Sequence, residues 1–236
     1  KIINNYSLSI YEDRSELFYK LSDFIEKEIN QTLKVKERFQ FCVCGGSTPK
    51  SVYELLSKKD IFWNRVDTFL GDERCVSSSS EESNSLMIKK SLLNDYGSKA
   101  SFYEIFNEDR INEDFSKKNF INNLKSKCPG DPPVFDLTLL GLGDDGHTAS
   151  LFPYCDNNDS DDLVIYSYGK GIKRISLTPK VFSVSKKVVF LVSGSTKQIA
   201  LKRLIDINES VKRTPAKLIK PNSQILIFSD LEASNS

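Results

Sequence analysis

The chain has 236 residues, of which 39% are apolar and 28% charged, with a formal net charge of +1. That balance describes a folded protein with a sizeable core and no basic field for nucleic acid, so any anion site must be a local cluster. No apolar run approaches the roughly 18 residues of a spanning helix, no signal peptide opens the chain, and the reducing cytosol suits five cysteines with no Cys-x-x-Cys pair.

In chain order, residues 11–33 carry Leu17, Leu21, Phe24, Ile25 and Ile29 at helical spacing. Residues 39–44 read as a short buried strand that ends in Gly45-Gly46-Ser47-Thr48-Pro49, with Thr48 placed to cap a helix and Pro49 in its first turn. Strand, glycine loop and helix start together make an anion site of free N–H groups, although two glycines also serve a plain tight turn. A nucleotide P-loop fails here, because its two glycines would fall on Cys44 and Pro49.

A second strand at 66–70 leads into Gly71-Asp72-Glu73-Arg74, then a serine-rich loop at 77–82 of the kind that is mobile, and a helix at 83–93. A strand is expected at 101–106 and a helix at 111–128, closed by a proline cluster. The near-continuous apolar run 135–140 reads as a strand buried on both faces. Its loop, Gly141-Leu142-Gly143-Asp144-Asp145-Gly146, delivers His147, the sole histidine.

That loop literally matches GxGxxG, and the dinucleotide reading fails on three counts. Pro153 leaves little room for a long helix, two adjacent aspartates repel a pyrophosphate, and the acidic pair Asp161-Asp162 precedes a strand instead of ending one. Strands at 163–168 and 172–177 flank a Gly-Lys-Gly turn, a short helix runs from 178 to 184, and strand 188–192 opens a further loop carrying Lys197. The next helix is expected to bury Ile199, Ala200, Leu204 and Ile205; strand 224–228 and a polar tail finish the chain. The alternation predicts one domain over 1–236, a doubly wound, mostly parallel α/β sheet with helices on both faces.

In such a sheet the loops after residues 44, 70, 140 and 192 open on one edge, which gathers Ser47, Thr48, Arg74, His147 and Lys197. A histidine in a glycine loop there can shuttle protons at neutral pH, with Asp145 placed to orient it or merely to brace the loop. Ser150, expected in a helix turn, lacks a nucleophile elbow, so activated water fits better than a covalent step. One histidine and scattered cysteines assemble no zinc site. The residues by themselves reach a metal-free acid/base enzyme acting on a small anionic substrate.

Four ordered motifs resemble the 6-phosphogluconolactonase family over nearly the whole chain: Gly45-Gly46-Ser47-Thr48-Pro49; Asp72-Glu73-Arg74-Cys75-Val76 with Ser83-Asn84; the run from Gly141 through Asp145-Gly146-His147-Thr148-Ala149-Ser150-Leu151-Phe152-Pro153; and Arg174 with Lys197 beyond it. The resemblance implies cofactor-free hydrolysis of 6-phospho-D-glucono-1,5-lactone to 6-phosphogluconate in the pentose phosphate pathway, in the cytoplasm. It makes His147 the general base and Asp145 its orienting partner. It implies substrate contacts from Gly45, Gly46, Ser47, Thr48, Arg74, Asn84, Gly143, Gly146, Arg174 and Lys197, with no metal ligands. Backbone N–H groups around Gly143 to Gly146 are the implied donors to the oxyanion.

The chain departs from the pattern at Ser77 and at Asp144, where the family commonly has proline; Asp144 brings a charge that raises the pKa of His147 if the two are close. The implied partner is a small phosphorylated sugar lactone, without nucleic acid or membrane. Lactonases of this kind are fused to glucose-6-phosphate dehydrogenase in some eukaryotic lineages, and a chain opening on Lys1 fits fusion and trimming equally. The alternatives are an amino-sugar-phosphate deaminase/isomerase, which at the second motif resembles Asp-Glu-Tyr and not the Asp72-Glu73-Arg74 found here, and a non-catalytic phosphosugar-sensing module.

Overall fold

The structure, a computed structural model, describes residues 2–107 and 113–234. Its main sheet has eight strands. Taken along the chain these are β1 (Ile2–Ile3), β2 (Tyr6–Tyr11), β3 (Phe39–Val43), β4 (Val66–Leu70), β6 (Ser101–Tyr103), β7 (Leu137–Gly141), β10 (Val188–Val192) and β11 (Ile225–Asp230). They lie in the order β1-β2-β11-β10-β7-β3-β4-β6, parallel everywhere except between β1 and β2. Every residue of β3, β4 and β10 is buried, as strands covered on both faces must be.

Helix α1 (Arg14–Thr32) buries Leu17, Leu21, Ile25 and Ile29 completely, each contributing about 1.5–3 kcal/mol of hydrophobic stabilisation. Asp13 caps its first turn by accepting from the Glu16 N–H, and Glu16 reaches back to the Glu12 N–H. The helices α2 (Ser47–Leu56), α3 (Asn84–Ser91), α4 (Glu113–Lys127), α5 (Pro179–Phe182), α6 (Gln198–Ile205) and α7 (Leu231–Ser234) follow in turn. No described helix is long and apolar enough to cross a membrane.

A second, antiparallel sheet joins β5 (Asp72–Arg74), β9 (Ile172–Leu177) and β8 (Val164–Gly169) in the order β5-β9-β8. The sequence reading gives both hairpin strands but not a separate sheet. Gly71 is the joint. Its N–H donates to Val43 O at 2.9 Å in the main sheet, and its carbonyl accepts from Leu177 N at 2.9 Å in the second.

Several local expectations are corrected. Helix α2 begins one residue before Thr48, with Gly46 in the capping position at φ 116° and no side-chain cap, so Thr48 is not the cap. In α6 Ile199 is 62% exposed and Leu201 is buried instead, because a 3-10 turn at Ser195–Lys197 rotates the helix register. Residues 148–151 form a tight turn closed by a Thr148–Leu151 bridge, not a helix. The tail expected after Asp230 starts with α7. The expected start of the α4 helix at residues 111–112 lies outside the described residues.

Candidate active site

A cleft of about 420 Å³ opens where the loops after β3, β5, β7 and β10 converge at the carboxyl edge of the main sheet. It is lined by Gly45, Gly46, Ser47, Thr48, Arg74, Asn84, Gly143, His147, Arg174 and Lys197 among others. Ten of the twelve residues named from the sequence therefore share one wall-to-wall space. The other two are Asp145, which stands behind His147, and Gly146.

The His147 loop is held from three sides. Thr148 Oγ1 donates to Gly141 O at 2.7 Å, Asp145 Oδ1 accepts from the His147 N–H at 3.0 Å, and the same oxygen lies 2.5 Å from His147 Nδ1. With a carboxylate as its partner, Nδ1 carries the proton, and Nε2 is the basic nitrogen of a ring that lines the cleft. Burial opposes the charge on Asp145, but the two hydrogen bonds from His147 and the His147 and Lys170 charges outweigh it, and the carboxyl is held well below its usual range.

Gly143 is sterically required, since a Cβ there would come within 2.0 Å of His147 Nδ1. Gly146 does not line the cleft. At φ 95° it packs on Thr214, where a Cβ would meet three atoms at 3.1 Å. The N–H groups of Gly143 and Gly146 donate to His147 O at 2.8 Å and Gly143 O at 3.0 Å, so these two are spent inside the loop and are not free for an oxyanion. Asp144 turns outward, 62% exposed, with its Oδ1 3.6 Å from Lys170 Nζ.

Strand β5 separates its charges by alternation. The buried Glu73 carboxylate accepts from the N–H groups of Arg74, Asn84 and Ser85 at 2.7, 2.8 and 2.7 Å and from Ser83 Oγ, so it braces the start of α3. Burial raises its pKa against those hydrogen bonds. Arg74 lines the cleft, directly opposite Arg174 of β9. Arg174 is 6% exposed and lies 5.2 Å from the centre of the Phe152 ring, itself 4.9 Å from the His147 ring. Burial first, then the Arg74 charge, lowers the pKa of Arg174. Two guanidinium groups paired across strands repel each other, and such a wall favours an anion.

At α2 the first-turn N–H groups of Ser47 and Thr48 have no side-chain cap and lie at the cleft, where the helix dipole favours an anion. Lys197 completes the basic wall. Its loop is set by Asp230, which accepts from Ser193 Oγ at 2.5 Å and from the Gly194 N–H at 3.1 Å.

Sequence reading missed Asp230 because its role depends on β11 lying beside β10. It also missed Lys170, although the Gly-Lys-Gly turn was a signal for it. Two other candidate nucleophiles are occupied or inert. Ser150 Oγ is buried and donates to Asp72 Oδ2 at 2.6 Å, and burial pushes the Cys44 thiol up to about 12. Among the described residues no three His, Cys, Asp or Glu side chains converge as a metal site would need.

Comparison with known proteins places this arrangement. Residues 12–228 match the family model for glucosamine-6-phosphate isomerases/6-phosphogluconolactonase. The chain is 30% identical over 231 residues to the 6-phosphogluconolactonase of a Nostoc species, covering 96% of each protein. It is 31% identical over 236 residues to the GDH/6PGL endoplasmic bifunctional protein of Oryctolagus cuniculus, covering 92% of this chain and 28% of that one. Its fold superposes on a crystal structure of a 6-phosphogluconolactonase from Shewanella baltica with a TM-score of 0.86 at 24% identity, over 98% of this chain and 100% of the other. With a family model spanning nearly its whole length and a relative matched end to end, the chain belongs to the glucosamine-6-phosphate isomerase/6-phosphogluconolactonase family.

Proposed function

We propose that the protein hydrolyses 6-phospho-D-glucono-1,5-lactone to 6-phosphogluconate with a water activated by His147. The observation that carries this reading is a histidine oriented by a carboxylate 2.5 Å from its Nδ1, in the same cleft as two mutually repelling arginines. The relatives named 6-phosphogluconolactonase support it.

The substrate phosphate meets Arg74, Arg174 and Lys197, with the N–H groups of Ser47 and Thr48 contributing from the start of α2. Its position leaves the lactone carbonyl beside His147. Nε2 takes a proton from water while the water oxygen bonds to the carbonyl carbon, and the carbonyl oxygen becomes an oxyanion. As the tetrahedral centre collapses, the bond from that carbon to the ring oxygen breaks. The proton on Nε2 passes to the ring oxygen, which becomes a hydroxyl, and the new carboxylic acid ionises in water. Asp145 stabilises the transient imidazolium and fixes the tautomer, without itself taking the proton.

His147→Ala tests this directly. Acid release from fresh lactone, followed above the spontaneous background, should fall to that background, while 6-phosphogluconate still binds. Wild-type turnover in the variant would sink the mechanism. Ammonia release from glucosamine 6-phosphate by the wild-type protein would favour the deaminase reading instead.

A further inference from the structure

Charge arises during this reaction at a point that three of the loop's amides do not serve. The N–H groups of Gly143 and Gly146 already donate to His147 O and Gly143 O, and the N–H of His147 donates to Asp145. A lactone attacked beside His147 forms first an oxyanion and then a carboxylate, both negative, next to a loop that carries Asp144 and Asp145.

Lys170, at the tip of the β8–β9 hairpin, is a cation paired with that loop through Asp144. Gly169 pairs with Ile172, so Lys170 and Gly171 are the two turn residues, and both have positive φ, 53° and 80°. That is the geometry of a type I′ turn, which favours asparagine, aspartate or glycine at its first position, so a lysine held there is strained. The turn is locked in place. Tyr168 Oη donates to Gly171 O at 3.0 Å, Arg174 Nε donates to Gly169 O at 3.3 Å, and Phe152 packs so closely on Gly169 that a Cβ would meet it at 2.3 Å. From this turn Lys170 joins the lining of the cleft.

Its ammonium lies 3.6 Å from Asp144 Oδ1 with both side chains about half exposed, 52% and 62%. At that distance the contact is Coulombic and longer than a hydrogen bond, so the three N–H donors remain available to a ligand. A strained backbone on a fixed turn, carrying a loosely paired side chain, motivates a functional reading.

We infer that Lys170 is a substrate-binding residue of the reacting end: its ammonium leaves Asp144 for the oxygen on which charge develops, and then holds the product carboxylate. Asp144 parks the ammonium beside the loop while the cleft is empty. This assignment rests on the reading of the site as a phosphogluconolactonase. It divides the cleft's cations into two groups, with Arg74, Arg174 and Lys197 for the phosphate and Lys170 for the carbonyl carbon.

The test uses two ligands that share a phosphate and differ at the other end, 6-phosphogluconate and glucitol 6-phosphate, which has a hydroxymethyl group in place of the carboxylate. Calorimetric titration of the wild-type protein should give the tighter binding to 6-phosphogluconate. Lys170→Met should weaken 6-phosphogluconate about fivefold, as expected for one half-exposed ion pair, and leave glucitol 6-phosphate unchanged. Lys170→Arg should restore most of the discrimination, and kcat should fall in the methionine variant and recover with arginine. Equal weakening of both ligands in Lys170→Met would place the lysine at the phosphate and overturn the assignment, as would no change in either. A wild-type protein that binds neither ligand would overturn the lactonase reading itself, and this inference with it.

Discussion

At the scale of single residues, the proposed mechanism depends on a carboxylate that does not line the cleft. Asp145 sets which nitrogen of His147 is basic, and its place is guaranteed by Gly143, where any side chain would collide with the ring. Asp145→Asn keeps the shape and removes the charge, so the tautomer is no longer enforced. Its kcat should drop by about 10² or more, with KM little changed, in steady-state assays of lactone opening. The same residue also predicts a pH effect on stability. Its folded pKa lies below its unfolded value of about 3.9, so its contribution is present above that pH and is lost as the pH falls toward the folded value. The melting-temperature gap between wild type and Asp145→Asn should be full above about pH 4 and narrow below it, and it should be small because Asp145 is 40% exposed. A gap that widened in acid would contradict this sign.

At the scale of elements, β5 ties the cleft to a helix cap. Adjacent residues of a strand face opposite ways, so Glu73 turns into the start of α3 while Arg74 turns into the cleft. Ser83 completes the cap by accepting from Leu86 N at 3.1 Å and donating to Glu73. Ser83→Ala should cost about 1 kcal/mol, read as a lower midpoint in urea at unchanged slope. Elements with strong local patterns were legible in the sequence: the apolar runs that became β4 and β10, the spacing of Leu17 to Ile29 in α1, and the glycine loops at strand ends. Strand β2 escaped reading because Tyr6 and Leu8 are buried only by its neighbours, while Ser7 and Ser9 between them look like loop residues. The registers of α2 and α6 were misjudged because turn geometry at Gly46 and at Ser195–Lys197, not residue preference, decides where those helices begin. The site loops could be grouped because a parallel sheet sends them to one edge. Lys170 and Asp230 act through partners distant in the chain, which spacing does not reveal.

At the scale of the molecule, both sheets bring residues to the cleft: His147 follows β7 of the parallel sheet, and the paired arginines sit on β5 and β9 of the antiparallel one. A bound anion would relieve the repulsion between Arg74 and Arg174 further than Asp72, Glu73 and Glu82 do, so binding should stabilise the whole fold. At about 100 times its Kd, 6-phosphogluconate adds about 2.7 kcal/mol, which for a protein of this size raises Tm by about 5–10 °C. Arg74→Met should remove most of that shift in a thermal melt and raise KM; an undiminished shift would put the phosphate elsewhere. The sheets meet at Gly71, one residue hydrogen-bonded to each of them. With so short a splice the span from His147 to the paired arginines is a ruler cut to one length. A phosphorylated lactone one carbon shorter should therefore occupy the clamp and inhibit competitively, yet be opened far more slowly than the six-carbon substrate. Selectivity of this kind would be written in backbone length.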